Sequence, residues 1–170
     1  MLETTESLRF DVGCDPKQSR EYWSGNGYDG DLDYLMRVVV KDASQLIVWM
    51  NDSKVVGHGV WHENNTREHA GGQARNREDS EALKKLVGKK KRFAELHKIW
   101  FTKEYRGKGY GNLFHQSFEE YMRGKGYSNL IFHADHPAAV AIRHKRGYDG
   151  GSYLKGLKEY VFQLSLRKGA

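Results

Sequence analysis

Tyr105-Arg106-Gly107-Lys108-Gly109-Tyr110-Gly111 is the stretch that decides the reading of this chain. Its three glycines fall at alternate positions between a β-rich run over 93–101 and a helical pattern over 112–123, in which Leu113, Phe114, Phe118 and Tyr121 recur at helical spacing. Glycine admits positive φ and close backbone approach, so successive N–H groups can converge on one concavity at the positive end of the following helix. Such a nest holds phosphate oxygens. Arg106 and Lys108 place charge beside it, which suits the loop to a diphosphate better than to a carboxylate metabolite. A GxxxxGK[ST] run is absent and the spacing does not satisfy GxGxxG, so neither familiar nucleotide loop is supported. Glycines alone also serve a plain tight turn between strand and helix.

Outward from the loop, alternation at Leu8, Phe10 and Val12 predicts a strand near 7–12, and Asp15-Pro16 starts a helix running to about Trp23. Leu32, Leu35, Met36 and Val39 behind the capping candidate Asp31 predict a second helix over 32–40. A hairpin follows, with strands over 46–50 and 55–61 about the turn Asn51-Asp52-Ser53-Lys54. Residues 63–92 are polar, interleave acids with bases, and end in Lys89-Lys90-Lys91-Arg92; they read as an insertion carrying a helix over 79–87. Beyond the helix over 112–123, a strand is expected at 130–132, a helix over 137–146 stopped by Gly147, and a final strand over 160–166. This order predicts a mixed α/β sheet covered by helices.

At 170 residues the chain fits a single domain, 1–170. The longest aliphatic run, Val38-Val39-Val40, is far too short to span a bilayer, and the polar, acidic N-terminus is unlike a signal peptide, so a cytoplasmic protein is expected. The one cysteine, Cys14, has no partner for a disulfide and is given no role. No His/Asp spacing compels a metal site. The net charge of +6 suggests an anionic partner and is about as compatible with a phosphorylated cofactor as with nucleic acid.

Arg106-Gly107-Lys108-Gly109-Tyr110-Gly111 fits the (Gln/Arg)xxGx(Gly/Ala) signature of the GNAT superfamily of N-acetyltransferases, and the resemblance extends to both sides. Residues 93–101 resemble the family's fourth strand, Lys103-Glu104-Tyr105 its lead-in to the loop, and the run from His136 through Arg143 to Tyr148 its Asn-Pro-x-Ala-Ile-x-Leu-Tyr-x-Lys-x-Gly-Phe segment. The resemblance implies an α/β fold whose central, mostly antiparallel sheet splays between strands 4 and 5, and a transfer of acetyl from acetyl-CoA to a primary amine in a ternary complex. It further implies that the backbone of Arg106, Gly107, Lys108, Gly109, Tyr110 and Gly111, with Asn112 at the helix start, binds the diphosphate. The pantetheine arm would pair with Ile99 and Phe101, with Trp100 between them.

Acetyl transfer needs a base for the ammonium, a holder for the oxyanion and a fate for the thiolate. Glu95 lies eleven positions before Arg106, where some family members carry a strand glutamate that deprotonates the amine. His97 shares its strand face and is the rival, since an unperturbed imidazole titrates at about 6.5. An ordinary strand face salt-bridged to Lys98 or Lys103 is the structural alternative for both. At the position of the family's acidic tyrosine stands Arg143, which stays charged and can stabilise a thiolate only electrostatically. His144, Tyr148 and Tyr153 are the other groups near it in sequence, and none is assigned as the acid. His136 replaces the usual Asn and either caps the helix or contacts pantetheine.

A competing reading makes the chain a non-catalytic relative that binds nucleic acid through Lys89-Lys90-Lys91-Arg92, against which the interleaved acids of 78–95 argue for a solvated face. A longer acyl donor is disfavoured by the bulk of Trp100, Phe101 and Phe132. The acceptor is a small-molecule or protein amine, and the acidic run Tyr28-Asp29-Gly30-Asp31-Leu32-Asp33 suggests a cationic one. No membrane partner is expected, and a homodimer is left open.

Overall fold

The computed structural model describes residues 8–28, 30–73, 76–88 and 92–166. Seven strands hydrogen-bond in the order β1-β2-β3-β4-β5-β7-β6: β1 (Leu8–Val12), β2 (Leu46–Asn51), β3 (Lys54–Asn65), β4 (Arg92–Phe101), β5 (Asn129–Ala134), β6 (Asp149–Leu154) and β7 (Glu159–Ser165). The β4–β5 pair is parallel, whereas β1–β2, β2–β3, β5–β7 and β6–β7 are antiparallel. The sheet is therefore the mixed one expected, with its parallel pair at strands 4 and 5. The described parallel register runs from Ala94↔Leu130 to Leu96↔Phe132, while β4 continues to Phe101 and β5 to Ala134. The helices are α1 (Pro16–Gly25), α2 (Leu32–Tyr34), α3 (Thr66–Gln73), α4 (Arg77–Val87), α5 (Tyr110–Gly124) and α6 (Pro137–Lys145). Among the described residues no helix is long and apolar enough to cross a membrane.

Two compact units emerge, Met1–His62 with His97–Ser117 and Glu63–Leu96 with Phe118–Ala170. In the first, β2 alternates its side chains between two apolar layers. Leu46 and Val48 join Tyr22, Trp23, Leu35 and Met36 in one core. On the other face the rings of Phe10, Trp49 and Phe114 meet edge to face at 5.7–6.4 Å. Gly57 explains a glycine within this β-rich run, since a Cβ there would lie 2.6 Å from the ring of Phe101. Asp15 caps α1 by accepting from Lys17 N–H at 2.7 Å, with Pro16 at the first position.

The helix expected over 32–40 is only partly α-helical. Asp31 caps α2 by accepting from Tyr34 N–H at 2.9 Å, but Leu35–Val39 form a π-helical turn closed by Val40 N–H to Leu35 O at 3.1 Å. The turn runs through Leu35-Met36-Arg37 into the β-branched Val38-Val39, and the chain is extended at Val40.

In the second unit, α4 is part of the core. Its Leu83 and Val87, one turn apart, pack with Phe93, Ile131, Leu154 and Val161, all at most 2 % exposed. The charged stretch expected as an insertion over 63–92 is thus shorter than read and structurally integral. β3 runs on to Asn65, α3 follows with Asn65 Oδ1 accepting from Glu68 N–H at 3.1 Å, and α4 begins at Arg77 because Asn76 caps it. Strand β6 carries little sequence signal, since Asp149-Gly150-Gly151-Ser152 is glycine-rich and largely solvent-facing; pairing to β7 creates it.

His58 sits at 0 % exposure between the rings of Tyr22 (5.6 Å) and Trp23 (5.1 Å), with Nδ1 3.0 Å from Gly59 O. Burial pushes its pKa down to about 4, although the contact with the carbonyl opposes that shift. The unfolded chain protonates this ring near pH 6.5, and the folded chain does not until about pH 4. Its stabilising contribution is complete above pH 6.5 and is lost as pH falls toward 4. The loss expected is about 3 kcal/mol. Denaturant titrations at pH 7 and pH 4.5 should show a smaller acid loss in His58→Leu than in the wild type; equal losses would remove His58 as the cause.

Candidate active site

The glycine loop begins where β4 ends. Lys103–Tyr105 form a 3₁₀ turn, and Arg106 follows in extended conformation. Gly107 (φ +72°) and Gly109 (φ +84°) adopt the left-handed region, and a Cβ at either would meet nothing within 4 Å. The glycines are therefore required by backbone conformation and leave open space above the loop. Helix α5 starts at Tyr110, two residues earlier than the sequence pattern suggested, so Tyr110, Gly111 and Asn112 form its first turn. N–H groups there point out of the positive end of a fifteen-residue helix. Tyr105 ties the loop to the hairpin, its hydroxyl accepting from Asn51 Nδ2 at 2.9 Å.

Arg106 turns back on the strand. Its Nε donates to Phe101 O at 2.7 Å, and the guanidinium lies 5.0 Å above the Trp100 ring. Lys108 is exposed. Trp100 is held at both ends, its indole N–H donating to Asn26 O at 2.8 Å and its carbonyl accepting from the Tyr22 hydroxyl at 2.9 Å. Burial pushes Tyr22 up to about 12, which keeps it a donor there. Ile99 is half-buried on the same strand. His97 is half-buried too, its ring 5.6 Å from that of His62.

Glu95 is 2 % exposed. Asn64 Nδ2 donates to its Oε2 at 3.2 Å, and His133 Nε2 stands 3.4 Å from Oε1. Nδ1 of that imidazole lies 3.2 Å from Glu159 Oε2 without an aligned hydrogen bond. Asn64, His133 and Glu159 were absent from the sequence reading. They come from three other strands, and only the register brings them to Glu95.

Around α6, His136 caps the helix, its Nδ1 accepting from Ala138 N–H at 3.2 Å. Arg143 is interior: 3 % exposed, donating to Ala139 O at 2.9 Å, with its guanidinium 5.3 Å from the Phe132 ring centroid. Burial lowers its pKa to about 10, so it remains a cation at neutral pH. Tyr148 is buried, stacks on Phe132 at 4.8 Å and donates to Glu119 Oε1 at 3.0 Å. Burial and the Glu119 charge push its pKa far up, which makes it a poor proton donor to a thiolate. His144 packs edge-on to Phe162, and Tyr153 is half-exposed beside Tyr160.

Of the acidic run at 28–33, Asp31 is spent on capping and Asp33 pairs with Arg20 at 3.2 Å, while Asp29 lies outside the described residues. Lys89, Lys90 and Lys91 of the basic tract also lie outside them. Arg92, the described member, pairs with Glu63 at 3.2 Å and lies 5.5 Å from the centre of the Tyr127 ring.

The family model described as Acetyltransferase (GNAT) family matches residues 9–148. The chain belongs to the GNAT acetyltransferases. Among solved structures, a mosquito arylalkylamine N-acetyltransferase like 5b aligns at 15 % identity and TM-score 0.66, covering 94 % of this chain and all of that one. A Drosophila melanogaster polyamine N-acetyltransferase aligns at 10 % identity and TM-score 0.66, covering 93 % and 99 %. The ribosomal-protein-S18-alanine N-acetyltransferase from Escherichia coli aligns at 10 % identity and TM-score 0.64, covering 96 % of each chain. These likenesses establish the GNAT fold. Among curated protein sequences none matches.

Proposed function

We propose that this GNAT protein transfers the acetyl group of acetyl-CoA to a primary amine by direct attack, with Glu95 as the base. The observation that carries the reading is a carboxylate buried on β4, held by Asn64 and His133, eleven residues ahead of an open positive-φ glycine loop at a helix N-terminus. Membership of the family supports acetyl transfer in general. The loop fits a diphosphate through the backbone from Arg106 to Asn112, with Lys108 as the exposed cation beside it. Because Phe101 O already accepts from Arg106, strand pairing with pantetheine falls on the backbone of Ile99 and on the Phe101 N–H, with Trp100 as a fixed spacer.

Glu95 takes a proton from the ammonium, the freed amine attacks the thioester carbonyl to form the C–N bond, and the tetrahedral adduct gives its second nitrogen proton to solvent water as the C–S bond breaks and the thiolate departs. No tyrosine is placed as the acid. The thiolate leaves as an anion, and Arg143, a buried cation at the sequence position of the family's tyrosine, is the residue proposed to stabilise it. The acceptor is a primary amine of open class, since the aligned folds are named for an arylalkylamine, a polyamine and a protein alanine.

Thermal unfolding with acetyl-CoA, CoA, ATP, NAD and a short oligonucleotide tests the donor. Acetyl-CoA and CoA at a hundredfold excess over Kd should each add about 2.7 kcal/mol, roughly 5–10 °C in Tm, and the others nothing. Absence of a shift with both CoA species would exclude this reading. A shift with the oligonucleotide alone would favour nucleic-acid binding instead. Turnover is then measured with tyramine, spermidine and a peptide bearing N-terminal alanine.

A further inference from the structure

Three strands converge on the Glu95 carboxylate and leave it almost no freedom. The parallel register Glu95↔Ile131 places His133, two residues on, on the face that carries Glu95. The antiparallel register His133↔Val161 places Glu159, two residues away, beside the imidazole. Side-chain exposure rises along this row from 2 % at Glu95 through 12 % at His133 to 34 % at Glu159. A buried carboxylate is tolerated only when donors satisfy it, and an ionised carboxylate can only accept. Here Asn64 faces one oxygen and His133 Nε2 the other.

We propose that His133 is a positioning residue for Glu95, clamping its carboxylate opposite Asn64 and itself anchored by Glu159. The proposal rests on the reading of Glu95 as the base. With Oε2 held by Asn64 and Oε1 facing His133, the carboxylate is fixed in one orientation. Glu159 lies against the far edge of the ring, so its effect reaches Glu95 only through His133. A lost clamp leaves acetyl-CoA binding intact, because neither residue belongs to the glycine loop or to the 99–101 segment. What suffers is alignment of the base, and a displacement of about 1 Å in such a group costs on the order of a hundredfold.

The variants H133L, H133Q and E159Q are assayed in the full chain with acetyl-CoA and the best of tyramine, spermidine and the alanine peptide, alongside urea unfolding. H133L should lose kcat by about 10–100-fold with KM for acetyl-CoA unchanged. H133Q, whose amide N–H can still donate toward Oε1, should recover most of that loss, and E159Q should lose kcat by a few-fold. Wild-type kcat in H133L, or a loss that H133Q does not relieve, overturns the proposal. Should H133L not fold, E159Q decides, and wild-type kcat there overturns it. Retained kcat in Glu95→Gln would defeat the base itself, whereas an inactive Glu95→Gln with an active H133L defeats only the clamp. A wild type that turns over none of the three amines defeats both.

Discussion

Glu95→Gln is expected to lower kcat by about 10²–10⁴-fold, the range over which a positioned general base contributes. That corresponds to roughly 3–5 kcal/mol of transition-state stabilisation. The amide keeps the volume of the carboxylate and one oxygen to accept from Asn64, so the fold and the glycine loop should persist; the capacity to take a proton is what disappears. The thermal shift with acetyl-CoA should therefore equal that of the wild type. His97→Gln serves as the comparison, with an expected kcat within about threefold of wild type, since the reading places the base at Glu95 and this half-buried imidazole is its rival on the same strand face. If the two variants exchange behaviour, the base is His97, and if both keep full activity the proton leaves without a side-chain base.

Arg146→Met should cost about 3–5 kcal/mol of stability, the usual penalty for removing one partner of a buried ion pair. Arg146 lies against Glu119 through two nitrogens, with side chains 18 % and 7 % exposed, and Tyr148 donates to the same carboxylate. Without the guanidinium, Glu119 is left buried with, among the described residues' contacts, the Tyr148 phenol to satisfy its charge. In urea the midpoint should fall without a change in slope, and Tm should drop by roughly 10 °C or more. The double variant Glu119→Leu with Arg146→Met should recover much of the loss, because no buried charge then remains unmatched. A single variant within about 1 kcal/mol of wild type would show that the pair is solvated in solution. Tyr148 belongs to this network, which is why it is no candidate for protonating the thiolate although it is close to Arg143 in sequence.

Elements whose cause is local were readable before any coordinates. Asp15-Pro16 starts α1 by capping and by the fixed φ of proline, and the period of Leu8, Phe10 and Val12 is that of a half-buried strand. The glycine loop needs positive φ at Gly107 and Gly109, a property of those residues themselves. Elements whose cause is distant were misjudged. β6 exists only because β7 offers it a partner, and the charged residues around α4 hid the Leu83 and Val87 pair that faces Phe93 and Val161. The helix over 32–40 was half right, since spacing showed which residues face the core and not that Leu35–Val39 would form a π-helical turn.

The same division runs through the candidate site. The amino-acid sequence by itself determined the family, the glycine turn between β4 and α5 and the position of Glu95 on its strand, because each depends on residues a few positions apart. Only the tertiary structure decided that Glu95 is buried, that Asn64 and His133 hold it with Glu159 behind, that Arg106 folds onto Trp100, and that Arg143 is an interior cation. Asn64, Glu95, His133 and Glu159 are spread over nearly a hundred residues of chain, and what joins them is strand order and register. Register is selected by the packing of whole sheet faces, a collective free energy that no short run of residues encodes.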